Sequence, residues 1–508
     1  MQDPRSNDRR HYLHHLEESV LSLATGNLEP VQKPVPQVET HPPRDKDQQH
    51  EGEEELKLVP EFMGKQPVQP EETGPASLQK KLSSISRSVN ECIQFVGRNV
   101  LGRQEIIKQS FLALMTGEHQ LLISRTGMAK SLLARQIFIC FDGATTFEKQ
   151  LTKDTMPENL FGSYDIEAMK KGKMIHNVEG SLVLSHFAFL DEIFDANDML
   201  LRSLLSLLNE KQLVNGEQIV HSTLHSAIAA ANYIRMTEIL EAVLDRFLYK
   251  SFIPENKDLY FEYSIDQIYQ QQFGKVAVPE KRLTLGELSY IKKLIQSKRI
   301  DIPGYVLFLK NYILKKYVEE TRNMVSDRKE FTISDRTLVK TQDTLRACAI
   351  LEGREQVEEK DLDNLYYVVC ALGREDDKAR LTKVTGTAKN YFRQDRDTID
   401  NILNAIGILN ILKANGNDEV LKTDKTFNQV RDGLEKVTRS GGSILKEYFN
   451  KLKNKLMALT QDSFVPETFS ILESLCEVSL KNAKTKEARE IIIGFQEDLF
   501  NAKKIVQL

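Results

Sequence analysis

The sequence predicts an α/β protein: a doubly wound parallel sheet, then an all-α domain, then a further helical region. Three observations carry this expectation. Between about 80 and 262, helical stretches alternate with short runs that are apolar on both faces, as strands covered by helices on each side require. From about 285 to 375 the apolar period becomes helical. After about 385 two further helical stripes follow. This order of patterns is that of an α/β core with helical appendages.

Taken in order, residues 1–78 differ from the rest. Nine of the fifteen prolines lie between Pro30 and Pro75, and the stretch DKDQQHEGEEE is charged. Such a composition buries too little apolar surface to offset chain entropy, so a disordered arm is expected. Within it, Tyr12, Leu16, Val20 and Leu23 stand at helical spacing, as in a transient or partner-docking helix.

Residues 79–275 carry the α/β pattern. Its apolar runs are HQLLIS (119–124), LARQIFIC (133–140), HFAFLDE (186–192) and HSAIAAAN (225–232). Residues 276–380 hold three helical segments, LTLGELSYIKKLI, GYVLFLKNYILKKYVEE and SDRTLVKTQDTLRACAILEG. Residues 381–508 form the last region. Ile399, Ile402, Leu403, Ile406 and Leu409 make one stripe there. Leu445, Phe449, Leu452, Leu456 and Leu459 make another, with Gly441-Gly442 between them.

Composition excludes some classes. The formal net charge is -4, so no overall basic excess points to nucleic acid. No run of ~18 apolar residues suggests a membrane span. The first twenty residues lack the apolar core of a secretory signal. Five cysteines, at 92, 140, 348, 370 and 476, form no CxxC and read as reduced core residues of a cytosolic protein.

The chemistry is concentrated at the ends of the apolar runs. LLIS leads into Arg125, Thr126, Gly127, Met128, Ala129, Lys130 and Ser131, and then into the helical LLARQIF. Strand, loop and helix in this order is the context of a phosphate-binding loop. Main-chain N–H groups at the helix start would cradle phosphates, Lys130 would reach them, and Ser131 would place its hydroxyl on Mg²⁺. Against the pattern G-x-x-x-x-G-K-[ST], Ser124 replaces the first glycine and Ala129 the second. Ser124 would be strained if the turn there needs a positive φ. Arg125 adds a charge beside the phosphates.

FAFL ends in Asp191-Glu192, 61 residues after Lys130. An apolar strand ending in two carboxylates puts both at the carboxyl edge of the sheet, where ligands bind. Asp191 suits Mg²⁺, and Glu192 suits orienting the attacking water. HSAIAAAN ends in Asn232, an amide placed to hold that water or the terminal phosphate. Arg246, in VLDRFLY, could neutralise charge in a neighbouring subunit's site, or simply pair with Asp245. Arg336 starts a helix that Ser334 can cap, and could fold back onto the terminal phosphate.

These residues occur in the order of an AAA+ module, and the chain resembles the MoxR branch of AAA+ ATPases, closest to the RavA type. VLGRQEIIKQSFLALMTGEHQLLIS resembles that family's lead-in, which implies that Gly102 and Arg103 lie near the adenine end. TGMAKS, with alanine before the lysine, resembles its loop, while Ser124 and Arg125 depart from it. PENLFGSYDIEAMKKGKMIHNVEGSL resembles its helix-2 insertion, including the basic KKGK at 170–173. FLDEIFDANDMLLRSLLSLLNEKQLVNGEQI, EILEAVLDRF and ISDR with LEGREQVEEKDL resemble its acidic strand, arginine-finger segment and lid. The resemblance covers about 86–375. It implies ATP and Mg²⁺, hexameric rings, and chaperone-like work on a protein client in assembling or activating complexes. It often implies a von Willebrand A partner. Rival readings are a nucleotide-regulated scaffold with little hydrolysis, a nucleic-acid remodeller, and a chelatase-type motor with a different client.

Overall fold

The structure is a computed structural model that describes residues 75–215, 218–232, 244–253, 258–272, 277–324, 331–369, 375–415 and 464–505. The segment Tyr12–Leu23, the stripe from Leu445 to Leu459 and Gly441-Gly442 lie outside the described residues.

The chain opens with helix α1 (Pro75–Asn99) and α2 (Gln104–Thr116), which lead into strand β1 (Gln120–Ile123) and α3 (Lys130–Phe138). Residues 133–140 therefore begin as helix, although their pattern suits a strand. Leu133, Ala134, Ile137 and Phe138 form its buried face against the sheet, α1 and α2, while Leu132 and Arg135 are exposed. Strands β2 (Phe141–Asp142) and β3 (Thr146–Gln150), the short helices α4 (Glu158–Phe161) and α5 (Ile166–Lys170), and β4 (Phe187–Asp191) follow. Helix α6 (Asp198–Glu210), hairpin strands β5 (Gln212–Asn215) and β6 (Gln218–His221), then β7 (Ser226–Ala231) and β8 (Tyr249–Phe252) complete the sheet region.

The main sheet has the order β3-β4-β7-β1-β8, and each pairing is parallel. The side-chain period of two divides the strands between two cores. Leu122, Phe187, Phe189, Ile228 and Ala230 face a core shared with α1, α2, α3 and the later helices. Leu121, Ile123, Ala188, Leu190, Ala227 and Ala229 face a second core built mainly by α6. Helix α6 buries Leu200, Leu201, Leu204, Leu205, Leu207 and Leu208. Its N-terminus is fixed by Asn197, whose side chain accepts from Leu200 N at 2.9 Å.

The insertion between α4 and β4 forms a hairpin. Asp165 N donates to Ile175 O at 2.8 Å, and Asn177 N donates to Ser163 O at 2.8 Å. It is tied to β5–β6 by Gln218, which accepts from His176 N at 2.8 Å and donates to His176 O at 2.9 Å.

Next come α7 (Leu259–Gln272), β9 (Leu283–Thr284), α8 (Leu285–Gln296), α9 (Gly304–Met324), α10 (Asp335–Leu351) and α11 (Tyr366–Val369). Thr284 and Glu287 form a capping box on α8, and Ser334 caps α10 by accepting from Thr337 N. Helix α10 packs on α1, α2 and α8. The last elements are α12 (Glu375–Tyr391), α13 (Arg396–Asn415), α14 (Phe464–Asn482) and α15 (Lys486–Ile505). Helix α12 runs through positions 380 and 381 without a break, and α12 and α13 both pack on α9. The stripe of α13 meets α14 and α15, burying Ile399, Ile402 and Leu409. Asp395, fully buried, accepts from Lys484 N, Thr485 N and Thr485 Oγ1 at 2.8, 2.8 and 2.6 Å, locking the start of α15.

One buried charge in this helical region has a measurable consequence. Lys310 on α9 is 2% exposed and donates to Leu338 O at 2.9 Å. Burial lowers its ammonium to about 8, below the ordinary ~10.4 of an unfolded lysine. A group held below its unfolded value opposes folding fully below the folded pKa, and this opposition fades as pH rises from about 8 towards 10.5. Lys310→Met is therefore expected to raise the melting temperature at pH 7, by a margin that narrows above pH 8. Leu338 O keeps a partner in Thr341 Oγ1, at 2.6 Å. Thermal unfolding of both proteins across this pH range checks the expectation.

Candidate nucleotide site

Parallel strands share a carboxyl edge, and the polar residues that follow β1, β4 and β7 meet there. Ile123 pairs with Ala231 across β1–β7, and Ser124 N extends the ladder to Ala231 O at 3.1 Å. Ser124 is buried and lies outside the left-handed region, so replacing glycine there introduces no backbone strain. Its hydroxyl donates to Arg125 O at 3.0 Å. The left-handed positions fall later, at Gly127 (φ 80°) and at Ala129 (φ 59°), which precedes the first turn of α3. Alanine in that conformation costs about 1 kcal/mol relative to glycine, which places the loop's strain at the second replaced glycine rather than the first. Arg125, Thr126, Gly127 and Ala129 are exposed, Met128 and Ser131 are half-buried, and the space over Gly127 is open.

Lys130 is 6% exposed. Its ammonium donates to Ser124 O at 3.2 Å, to Ala231 O at 3.4 Å and to Asn232 Oδ1. The Asn232 amide in turn donates to Glu192 Oε1. Burial lowers the Lys130 pKa, against the pull of Asp191 and Glu192. Burial likewise raises that of Glu192, against the opposing effect of Lys130. Glu192 sits at φ 52°, and its N–H donates to Asp191 Oδ1 at 3.0 Å. This left-handed turn at the end of β4 is a strained conformation of a kind that persists where the surroundings over-determine it. Lys130, Asn232 and Glu192 thus form one continuous chain, with Asp191 beside it.

The residues fit a magnesium–nucleoside triphosphate. The first N–H groups of α3 have no intrahelical acceptor, which is the usual anion site at a helix start. The buried ammonium of Lys130 is held by carbonyl oxygens and an amide, all of them neutral. The Ser131 hydroxyl and the Asp191 carboxylate are hard oxygen donors of the kind Mg²⁺ uses together with phosphate oxygens.

Two segments of the chain match known domain families. Residues 87–273 match the family model described as "MoxR domain in the MoxR-vWA-beta-propeller ternary systems". Residues 307–384 match an AAA lid domain. Together these segments form an AAA+ module of the MoxR type. An uncharacterised protein of Methanocaldococcus jannaschii is 27% identical over 316 residues, 61% of this chain and 79% of that one. Chaperone MoxR1 of Mycobacterium tuberculosis is 25% identical over 181 residues, 35% of this chain and 46% of its own. A crystal structure of a candidate ATPase from Cytophaga hutchinsonii superposes with a TM-score of 0.50 at 19% identity, covering 62% of this chain and 97% of that one. It supports the fold.

Within the AAA+ module the two arginines lie away from the phosphate loop. Arg246 precedes β8, which runs parallel to β1 with Tyr249 opposite Gln120, so it sits at the amino edge of the sheet. Its Nη1 is 3.7 Å from Asp245 Oδ2, while its Nε is buried without an acceptor among the described residues. Asp245 also accepts from Ser334 Oγ at 2.6 Å, joining the core to the cap of α10. Arg336 does not fold back onto its own site. Its Nη1 donates to Asn209 Oδ1 at 2.9 Å, at the far end of α6. Nearby, His119 interacts with Lys211 Nζ at 3.3 Å, and Lys340 pairs with Glu118 at 2.8 Å. The reason is topological: α6 starts at the carboxyl edge after β4 and ends at the amino edge, and α10 packs on that side. Asn209 escapes a sequence reading because it sits in an ordinary amphipathic helix.

Gly102 (φ 66°) and Arg103 stand at the start of α2, which ends at the amino edge before β1 and so begins at the carboxyl edge. The structure thus gathers Gly102, Arg103, Ser124 to Ser131, Asp191, Glu192 and Asn232 at one edge and leaves Arg246 and Arg336 at the other.

Asn232 is the hinge of the buried chain. Asn232→Ala is expected to leave ATP binding within a few fold while lowering turnover roughly 10²-fold, the usual scale for removing one positioned donor. Equilibrium binding and steady-state hydrolysis on the same preparation check this.

Proposed function

We propose that the chain is an ATP-hydrolysing AAA+ motor of MoxR type that remodels protein complexes. The observation that carries this reading is the buried chain Lys130–Asn232–Glu192 beside Asp191 at the carboxyl edge. Lys130 and the loop hold the phosphates, Ser131 and Asp191 hold Mg²⁺, and Glu192, oriented by Asn232, aligns and polarises the attacking water. When bound there, Mg²⁺ would supply charge neutralisation to the phosphates.

The site is completed by a neighbour. Arg246 and Arg336 stand at the edge opposite their own loop, so both serve the next subunit of a ring, which we take to be a hexamer. What supports the ring is this separation. What supports a von Willebrand A partner is the description of the matching family model. The RavA type rests on the sequence resemblance alone, and the chaperone-like role on likeness to MoxR1. Among the described residues no helix is long and apolar enough to cross a membrane. A cytoplasmic location is part of this proposal.

Two measurements test it. Glu192→Gln should bind ATP and lose turnover, and unchanged turnover would remove the role given to Glu192. Arg246→Ala should also bind ATP and be inactive. Mixing the two inactive proteins should restore part of the activity, because some sites then combine an intact Glu192 with a neighbour's intact Arg246. Two inactive proteins that stay inactive when mixed, despite forming joint rings, would place Arg246 outside the neighbour's site.

A further inference from the structure

Four cations gather where the amino edge of the sheet meets the later helices. Lys211 closes α6, Lys292 stands on α8, and Arg336 and Lys340 stand on α10, all of them half-buried. Glu118 is spent on Lys340 at 2.8 Å, and Asp343 lies 3.6 Å from both Lys340 and Arg346. Among the described residues, Lys211 has no carboxylate in contact, and its approach to His119 supplies no acceptor. His119 Nδ1 accepts from Ala227 N at 3.0 Å, which leaves the ring proton on Nε2, 3.2 Å from Leu208 O. Lys211 Nζ, 3.3 Å from that Nε2, therefore meets an N–H. Burial, with Lys292 adding to it, lowers the Lys211 ammonium to about 8. The backbone is strained at the same residue. Lys211 is left-handed, at φ 54°, where a glycine would close the helix freely. Its N–H donates to Leu207 O at 3.0 Å and its carbonyl accepts from Ser222 N at 2.7 Å, so main-chain bonds fix the turn whatever the side chain. A lysine held in strain with its donors unspent is costly unless an anion arrives. Contacts also tie it to the two arginines of this edge. Arg336 donates to Asn209, two residues before Lys211, and Ser334, the cap of the same helix, donates to Asp245 beside Arg246.

We propose that Lys211 is a phosphoryl-binding residue that acts across the subunit interface, donating with Arg246 and Arg336 to the terminal phosphate of the nucleotide held by the neighbouring subunit. The inference rests on the ring reading of those two arginines. It gives the surplus of positive charge a use: nucleotide bound in one subunit neutralises cations of the next, which draws the interface closed.

The test uses Lys211→Gly, which removes the ammonium and relieves the backbone. Its melting temperature should be held or raised and its Mg²⁺-ATP affinity kept, while turnover falls roughly 10²-fold, the scale of one lost donor to a developing charge. Mixing it with the inactive Glu192→Gln protein should restore part of the turnover. A site with its own Glu192 then gains Lys211 from its neighbour, which a role in the same subunit or in folding would not allow. The Arg246→Ala and Glu192→Gln pair is measured alongside. Wild-type turnover in Lys211→Gly overturns the inference. So does a mixture that stays inactive while the Arg246→Ala pair recovers, because the ring reading then stands without Lys211. If both mixtures stay inactive despite forming joint rings, the ring reading itself falls, and the inference with it.

Discussion

The parallel pairing of β1 with β7 is the constraint on which the rest depends. It sets Ile123 opposite Ala231, so the chain leaves both strands at the same height. Ser124 and Asn232 then flank the ammonium of Lys130 from two strands, and β4, paired on the other side of β7, brings Glu192 to the same amide. A slip of one residue would turn every strand side chain to the opposite face. The alternating split of Leu121, Leu122 and Ile123 between two cores shows how firmly burial resists that slip.

Electrostatics explain why this assembly is poised rather than inert. A buried ammonium without a carboxylate in contact is expensive, and neutral oxygens only partly offset the loss of water. In the proposed function, arriving phosphates would supply the missing negative charge and compete for Lys130. Asn232 would then be left to act on Glu192 alone. The left-handed residues Ala129 and Glu192 stand directly before Lys130 and directly after Asp191, so backbone strain is concentrated at the site.

Much of this was legible in the sequence, for a physical reason. Strand tips are marked by an abrupt change from apolar to polar residues, and HQLLIS, FAFLDE and HSAIAAAN each show one. The local context of Lys130, Asp191, Glu192 and Asn232 needed no tertiary knowledge. Three features did. Residues 133–140 read both as an apolar run and as the end of the helical LLARQIF, because the buried Leu133, Ala134, Ile137, Phe138 and Cys140 lie so close together in sequence that they mask where the helix stops. The strain falls on Ala129 and spares Ser124, since the position of left-handed residues depends on how the loop closes. The place of Arg336 follows from which side of the sheet α10 packs on, information carried by long-range contacts between helices and absent from a capped helix start. The relation of residues 381–415 and 464–505 to the lid is of the same kind: only packing shows that α12 and α13 share a bundle with α9.

The measurement that bears most directly on the central claim is an experimental structure of the full chain with Mg²⁺ and a non-hydrolysable ATP analogue. The account predicts triphosphate along residues 125–131, Lys130 Nζ moved from Asn232 onto the phosphates, Mg²⁺ between Ser131 and Asp191, and Arg246 of a neighbouring subunit at the terminal phosphate. Nucleotide bound elsewhere, or a loop left empty with Lys130 still on Asn232, would contradict it.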